Sequence, residues 1–221
     1  MTISLKTICS SKRGAEIGKK AVKSQTSGAK TLIGEDISRF TTNWGHTHIA
    51  VSDKEYKRLS SFFGKDLILL RRVESFLSAT IAEGETYAFT KNVYGIRVND
   101  NCGFSRLFVL GWLNSKPTSF YYRKKFSTKK EKAFPEIQAY LYDQLPIPIT
   151  DSKGQSSVEA LVRKALDIRK SDPTAEISSI EKDIDTQFYL LYGFNYDEVL
   201  KIDPDFSLTK KEYDKLKEPS L

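Results

Sequence analysis

The sequence predicts an α+β fold, in which a β-rich part with mixed or antiparallel strands and packed helices precedes an antiparallel helix pair. Three observations support this prediction: short aliphatic runs bounded by turn residues, a helical apolar spacing near the C-terminus, and two prolines between them. We therefore expect a β-rich domain at residues 1–150. Residues 151–221 are expected to form a helical segment, with a helix hairpin and short helices.

The strands of the first part are short, rich in β-branched or aliphatic residues, and bounded by turn residues. The runs with this composition are MTISLKTIC, THIAVS, DLILLRRV and NVYGIRV. A further stretch, LSATIAEGETYAFT, places Gly84 between two strand-like halves. This arrangement predicts a hairpin.

Helices interrupt these strands at two places. Ser52 followed by Glu55 predicts a capping box at the start of a helix that ends at Gly64. Between residues 105 and 126 the apolar period becomes helical. Pro117 is expected to start a second helix there, because proline is tolerated in the first helical turn.

Two prolines follow the next strand-like stretch. FPEIQAYLY (residues 134–142) has the composition of a strand and precedes Pro146 and Pro148. Neither proline can lie inside a helix or in a central strand, because each lacks a backbone N–H. We expect a stiff, extended connector that sets the angle between the two parts.

The C-terminal part has a regular helical pattern. A first helix is expected from a serine cap at Ser156 to Asp172, and a second one is expected to end at Gly193. The second helix repeats apolar side chains three and four residues apart: Ile177, Ile180, Ile184, Phe188 and Leu191. Two short helices follow, the first capped by Asn195 and the second by a capping box of Thr209 and Glu212.

The positive charge is concentrated in the first part. Residues 1–150 hold 24 Lys and Arg against 13 Asp and Glu, whereas residues 151–221 hold 11 against 15. This asymmetry favours a polyanion-binding face on the first part, and the alternative is a solvated charged surface. The two cysteines and the absence of a long apolar run indicate a reducing, cytoplasmic location and no membrane partner.

Few residues are arranged for catalysis. His46 and His48 stand two apart in a strand-like stretch, which would place both rings on one face and could hold zinc, but no further ligand is spaced nearby. Asp36 followed by Glu55 and Lys57 fits a magnesium-nuclease pattern loosely. Phosphate-loop and dinucleotide-binding patterns are absent. The chain by itself is therefore expected to be non-catalytic.

Residues suited to binding a polyanion are more plentiful, because basic side chains alternate with glycines, hydroxyls and aromatics. They occupy the stretches SSKRGAEIGKKAVKS and YYRKKFSTKKEK, the segment after the LILL strand, and the segment from Arg39 to His48. The candidates are Lys12, Arg13, Lys19, Lys20, Lys23, Arg39, Trp44, His46, His48, Arg71, Arg72, Arg123, Lys124, Lys125, Lys129 and Lys130. Trp44 is either a core or loop anchor or a stacking platform.

Several segments, taken in order, resemble the C-terminal target-recognition domain of adenine-specific restriction–modification methyltransferases of type II and IIG. KRGAEIGKK followed by LIGEDISRF is similar to the opening of that domain, with Gly34, Asp36, Ile37, Arg39 and Phe40 on its motif. LILLRRV, TYAFTKNVYGI, LGWLNSKPTSFYYRK and FPEIQAYLYDQLPIP continue the resemblance in the same order. The specificity subunits of type I restriction enzymes are related.

The resemblance implies a sequence-specific DNA-recognition module of a bacterial enzyme, positioning double-stranded DNA for a methyltransferase or endonuclease domain outside this chain. It implies no catalytic residue and no cofactor here, since S-adenosylmethionine and Mg²⁺ would belong to the missing domains. The C-terminal helices would contact the methyltransferase or nuclease domain. Loops at 11–26, 41–48 and 71–76 are the expected readers of base edges.

Two other function classes remain open. One is an autonomous magnesium-dependent nuclease that uses Asp36, Glu55 and Lys57. The other is a protein-interaction scaffold whose exposed helices dimerise. Magnesium-dependent cleavage would distinguish the first alternative, and salt-dependent duplex binding would argue against the second.

Overall fold

A computed structural model of the chain describes residues 1–17, 27–64, 66–72, 76–82, 84–126 and 138–217. The strands are β1 (Thr2–Ser4), β2 (Cys9–Arg13), β3 (Ala29–Leu32), β4 (Ile37–Ser38), β5 (Thr41–Thr42), β6 (His48–Ile49), β7 (Ile68–Arg71), β8 (Ala79–Ile81), β9 (Ala88–Phe89), β10 (Val93–Val98) and β11 (Pro146–Pro148). The helices are α1 (Leu5–Ile8), α2 (Lys54–Leu59), α3 (Arg106–Asn114), α4 (Lys116–Phe126), α5 (Ala139–Tyr142), α6 (Ser152–Ser171), α7 (Ser178–Leu191), α8 (Tyr196–Ile202) and α9 (Lys210–Lys215). A 3-10 turn covers Gly34–Asp36.

A four-stranded antiparallel sheet, with the order β2-β10-β7-β8, forms the centre of the fold. Its residues alternate between two buried layers, as side chains of a strand must. Ile68 and Leu70 face the larger hydrophobic cluster, whereas Leu69 lies in a smaller one. The sheet is therefore covered on both faces at β7 and β8, whereas side chains of β2 and the end of β10, such as Lys12 and Arg97, remain exposed.

Helices cover the first face. The buried helix α3 packs between the sheet and α6, and α7 completes the layer through Phe188. Gly111 makes the close approach possible, because a Cβ atom there would lie 2.7 Å from Val162 Cγ2 and 2.9 Å from Val158 Cγ1. The α+β fold with packed helices agrees with the prediction.

A thinner layer covers the second face. It contains β3, which pairs antiparallel with β6 and parallel with β9. The ring of Phe89 in β9 packs so close to the sheet that a Cβ atom at Gly95 would lie 2.5 Å from it. Leu32, Ile37 and Phe62 complete this smaller cluster.

One buried side chain joins the helical layer to the edge of the sheet. The side-chain amide of Asn114, at the end of α3, accepts a hydrogen bond from the Ala79 N–H at 2.8 Å and donates one to the Ala79 carbonyl at 2.9 Å. The Phe40 N–H donates to the same carbonyl at 3.0 Å. Backbone groups on the outer edge of β8 are thereby satisfied without a further strand.

The two prolines form an extended segment, as predicted, and the structure adds a partner strand. β11 pairs antiparallel with β1, with Thr2 opposite Pro148 and Ser4 opposite Pro146. The neighbouring bonds from the Leu5 N–H to Leu145 O and from the Ile149 N–H to Met1 O identify the hydrogen-bonded rungs. Both prolines lie on the rungs between them, where no N–H is required.

The predicted start and end of α2 are wrong. Asp53 caps the helix, because its carboxylate accepts hydrogen bonds from the Glu55 N–H at 2.8 Å and the Tyr56 N–H at 3.2 Å. Glu55 pairs with Arg58 instead of reaching back to Ser52. The helix ends at Leu59 and not at Gly64.

The predicted hairpin at Gly84 is also wrong. β8 pairs with β7, whereas β9 lies in the other sheet, parallel to β3. Gly84 does adopt a positive φ of 75°, so the turn chemistry was present although the two strands do not pair with each other.

Three further boundaries differ from the prediction. The helix α1 interrupts the strand expected over the first nine residues. Residues 139–142 form α5 instead of a strand, and residues 134–137 of that stretch lie outside the described ones. Helix α6 begins at Ser152, capped by Asp151 instead of Ser156, because the Asp151 carboxylate accepts from the Gly154 N–H.

The remaining C-terminal predictions agree with the structure. Helix α6 ends before Asp172, and Gly193 follows α7 with a positive φ of 73°. Asn195 and Thr209 cap α8 and α9 with reciprocal capping boxes. None of the described helices is long and apolar enough to span a bilayer.

The larger hydrophobic cluster takes side chains from both sides of residue 150, for example Leu70 and Val162. A separate aromatic cluster around Tyr189 and Tyr213 joins α7 to α8 and α9. The division at residue 150 stays a prediction.

Candidate nucleic-acid interface

One end of the central sheet gathers cations from three segments of the chain. β2 ends at Arg13 and β7 ends at Arg71, and the register places both beside the start of β10, where Lys91 precedes the strand. Arg72 follows Arg71 directly, and its N–H donates to Asn92 O at 2.9 Å. We call Arg13, Arg71, Arg72 and Lys91 the sheet-end cations.

The carboxylate of Glu16 lies among these cations. Lys91 Nζ lies 3.1 Å from Glu16 Oε1, and this bond, together with the charges of Lys91, Arg13 and Arg72, lowers the pKa of Glu16. Arg13 Nε in turn donates to the Lys91 carbonyl at 3.2 Å. Cations from distant sequence positions therefore converge around the exposed carboxylate of Glu16.

The backbone next to Arg13 is held against the chain itself. A Cβ atom at Gly14 would lie 2.2 Å from Phe89 O, and the Ala15 N–H donates to the same oxygen at 2.8 Å. Sequence reasoning expected glycines here to admit a phosphate. The structure shows that Gly14 admits β9, and this contact brings Lys91 beside Arg13.

Lys12 is directed away from this group, because neighbouring residues of a strand face opposite sides. Its Nζ lies 5.3 Å from the ring centroid of Phe62, on which the Arg97 guanidinium also packs at 4.9 Å. Arg97 donates a hydrogen bond to Phe62 O at 3.0 Å. Lys12 and Arg97 thus form a second pair of exposed cations on the α2 side of the sheet.

A third group surrounds Phe76, in the connection between β7 and β8. The guanidinium carbons of Arg39 and Arg123 lie 5.8 Å and 5.4 Å from its ring centroid. Phe76 is 44% exposed, so part of its ring faces solvent. This connection lies at the same end of the sheet as the sheet-end cations, because the Arg71 N–H donates to Ser78 O.

The side chains of the segment that resembles the family motif, Gly34 to Phe40, make contacts within the fold. The Asp36 carboxylate accepts hydrogen bonds from the Ile33 N–H at 2.9 Å and the Gly45 N–H at 3.3 Å, and burial raises its pKa. Arg39 Nη1 lies 3.5 Å from Glu181 Oε1 of α7. Phe40 is buried, at a positive φ of 60° that an L-residue adopts only under constraint.

Trp44 anchors a loop, and the two histidines pack on it. Trp44 Nε1 donates to Thr47 O at 3.0 Å, and the rings of His46 and His48 lie 4.8 Å and 5.1 Å from its ring. His46 has a positive φ of 59°, so the two rings meet through a turn and not through strand alternation. Within the described ranges, no group of three His, Cys, Asp or Glu residues could hold a metal ion.

The remaining basic candidates divide into two sets. Lys124 and Lys125 are exposed in the last turn of α4, and their Nζ atoms lie over the rings of Phe120 and Tyr121. The others lie outside the described residues: Lys19, Lys20, Lys23, Lys129 and Lys130. Whether any candidate touches DNA stays a prediction.

The residues of the nuclease alternative have other roles. Asp36 holds two backbone N–H groups, and Glu55 Oε2 lies 2.9 Å from Arg58 Nη2. Neither carboxylate is arranged as a metal ligand among the described residues. The pattern in the sequence therefore has a structural explanation at both positions.

Sequence reasoning missed three residues of this surface. Lys91, Arg97 and Phe76 carry no motif and are separated by long stretches of chain. The one local signal was the position of Phe76 in a short, polar connection directly after a double arginine. Lys91 and Arg97 become visible only when β10 is placed between β2 and β7.

The fold and this surface define a basic α+β module without a recognisable catalytic group in its described part. The model of the TaqI-like C-terminal specificity domain family matches residues 29–147, more than half of the chain. The chain belongs to this family. The predicted resemblance is confirmed, and with it the assignment as a DNA-recognition module of restriction–modification enzymes.

Solved structures share the fold at low sequence identity. The HsdS subunit from Thermoanaerobacter tengcongensis is 11% identical with a TM-score of 0.52, covering 87% of this chain and 44% of that one. The type IIG restriction endonuclease BpuSI is 14% identical with a TM-score of 0.53. The match covers 94% of this chain and 32% of that one. A chain from a structure of a type I restriction–modification system is 14% identical with a TM-score of 0.51. The match covers 93% of this chain and 45% of that one.

The chain therefore spans less than half the length of these structures. No curated protein sequence matches it significantly.

Proposed function

We propose that the chain holds double-stranded DNA against one end of its central sheet, while a methyltransferase or endonuclease domain outside the chain performs the reaction. The sheet-end cations neutralise phosphates and set the position of the duplex. Side chains in the connections at that end then reach base edges in a groove. This arrangement assigns binding to the β-rich part and no bond-breaking step to any residue here.

The observation that carries the proposal is the convergence around Glu16. Arg13, Arg72 and Lys91 come from three segments of a chain that belongs to a specificity-domain family. A structure without a polyanionic partner gains little from bringing like charges together, because like charges repel. The concentration of Lys and Arg in residues 1–150 points in the same direction.

We also propose that the C-terminal helices contact the domain that performs the chemistry. The apolar sides of α6 and α7 are buried in the chain's own core, through Val158, Val162, Ile180 and Ile184. Their outer sides are polar, and residues 151–221 carry more Asp and Glu than Lys and Arg. Such a surface suits a polar interface, from which the partner domain can dissociate, better than a hydrophobic one.

The cellular setting completes the proposal. A cytoplasmic location follows from a function on DNA and suits the two free cysteines, of which Cys9 is buried. S-adenosylmethionine and Mg²⁺ are assigned to the catalytic domains and to no residue of this chain.

The test is salt-dependent binding of a fluorescent duplex, followed by anisotropy. The double variant Arg13→Ala/Lys91→Ala removes two exposed cations. If each contacts a phosphate, the slope of log affinity against log salt becomes less steep by about two, since each phosphate contributes about −0.9. Far-UV circular dichroism checks that the variant is folded.

A matched variant controls for the loss of net charge. Lys210→Ala/Lys211→Ala removes two exposed lysines from the start of α9, within the acidic segment. It should leave the slope unchanged. Equal losses for both double variants would mean that binding follows total charge, and the sheet end would not be the interface.

A further inference from the structure

We propose that the groove around Phe76 binds a single unpaired nucleotide of a DNA strand, with the base against the ring and the phosphate against the surrounding arginines. This inference rests on the proposed function and adds a site that discriminates unpaired from paired DNA. The groove is lined by Ser38, Arg39, Phe76, Ser78, Lys116 and Arg169, with Glu181 at its side, and has a volume of about 410 Å³.

The aromatic ring is the first element of the site. Phe76 is 44% exposed, so part of its ring is accessible to a ligand in the groove. The two guanidinium carbons at 5.4 Å and 5.8 Å lie near the limit of about 6 Å for a cation–π contact. Both guanidinium groups lie over the ring, and 44% of the side chain remains exposed beside them.

The cations are the second element. Arg39, Lys116 and Arg169 line the groove beside Glu181, and Lys116 Nζ also lies 2.8 Å from Asp203 Oδ1. The ion pair of Arg39 with Glu181 is long, at 3.5 Å, and both side chains are 26% exposed. Arg169 Nη1 donates to the Pro173 carbonyl, and its Nε is buried without a hydrogen-bond partner among the described residues.

These two elements together select the ligand. A phosphate alone would satisfy the arginines and leave the ring exposed, whereas an apolar ligand would leave the cations unused. A nucleotide supplies a flat base for the ring and a phosphate for the guanidinium groups. A base inside a duplex has both faces covered by its neighbours, so only an unpaired base can stack on Phe76.

The position of the groove connects it to the duplex-binding surface. Phe76 lies four residues after Arg72, in the connection at the end of the sheet where the sheet-end cations converge. A duplex held by these cations runs beside the groove. A nucleotide displaced from its stack could then enter it without release of the flanking phosphates.

The experiment compares two duplexes of identical sequence, one fully paired and one with a single bulged thymidine at its centre. Anisotropy titrations measure both affinities for the wild-type chain and for Phe76→Ala. We expect the wild-type chain to prefer the bulged duplex by about tenfold, a typical contribution of one stacked base. Phe76→Ala should abolish this preference, so that the bulged and the paired duplex bind the variant with equal affinity.

Two further variants separate stacking from general surface effects. Val51→Ala shortens another exposed apolar side chain, 56% exposed, and should retain the preference. Phe76→Trp should also retain it, and its additional fluorescence, relative to the wild-type chain, should be quenched by the bulged duplex and not by the paired one.

Each other outcome overturns the inference in a distinct way. Equal wild-type affinity for the two duplexes removes the unpaired nucleotide as ligand and leaves the proposed function intact. Equal weakening of both duplexes by Phe76→Ala would instead assign the ring to intact DNA. Binding of neither duplex by the wild-type chain would refute the proposed function, and the inference with it.

Discussion

The two faces of the central sheet are buried in different ways. The first face packs against α3, α6 and α7, whose apolar side chains recur at helical spacing and form one large cluster. The second face packs against short strands and turns, and its cluster is much smaller. The difference shows where stability resides: the helical face supplies most of the core, and the second face contributes a smaller cluster.

The largest expected effect is on the helical face. Gly111→Leu would force a side chain against Val158 and Val162, where even a Cβ atom comes within 2.9 Å of both. We expect a loss of about 3 kcal/mol in the free energy of unfolding, at the upper end of overpacking costs. Urea denaturation measures it, and Ala160→Leu on the exposed side of α6 is the control with little effect.

A smaller effect is expected where the helical layer meets the sheet edge. Asn114→Ala leaves the buried N–H of Ala79 without its acceptor and removes one donor to the carbonyl. The expected loss is about 2 kcal/mol in unfolding free energy. Asn99→Ala, at an exposed side chain, provides the comparison. If both variants were equally stable, the helical layer would not depend on this junction.

The next prediction concerns the pH dependence of the helical layer. Asp185 is buried in α7 and accepts a hydrogen bond of 2.6 Å from the Lys116 N–H. Burial raises the pKa of Asp185 to about 7, against the opposing influence of that bond and of the nearby charges of Arg39 and Lys116, while Asp203 adds to the rise.

Because the folded chain binds this proton more tightly than the unfolded chain, the Asp185 contribution to stability falls as pH rises from about 4 to about 7. Asp185→Asn keeps the acceptor and removes the charge. The difference in unfolding free energy between Asp185→Asn and the wild-type chain should therefore shift in favour of the variant as the pH rises from 5 to 8. This range covers most of the window in which the wild-type chain loses the Asp185 contribution. A constant difference in urea midpoint across this range would contradict the assignment.

The smallest expected effect tests the contact between the motif segment and α7. Arg39→Gln removes the partly buried ion pair with Glu181, which should cost about 0.5 kcal/mol in unfolding free energy. A double-mutant cycle with Glu181→Gln measures the coupling. The same variant checks the interface: a loss of DNA affinity much greater than this small destabilisation would assign Arg39 to DNA as well.

The sequence predicted the helical layer better than the loops, for reasons that particular residues make clear. Helix caps depend on neighbours three residues away, so Asn195 and Thr209 could be recognised directly. The start of α2 was missed because Asp53 and Ser52 are adjacent and both suitable caps. The prediction of a hairpin at Gly84 was wrong because the sequence shows only the local turn. The strands on either side of it pair with β7 and β3, which the local sequence does not indicate.

The sequence alone determined the class of fold, the helical segment, the extended prolines and the family, since these depend on short-range patterns and on motifs in register. The tertiary structure decided which strands pair, that the motif residues Asp36 and Phe40 serve the fold, and that Lys91 lies beside Arg13. The physical reason is distance along the chain: strand pairing and charge convergence join residues that no local propensity connects. Phe76 illustrates this limit, because its two arginine neighbours come from segments tens of residues away on either side.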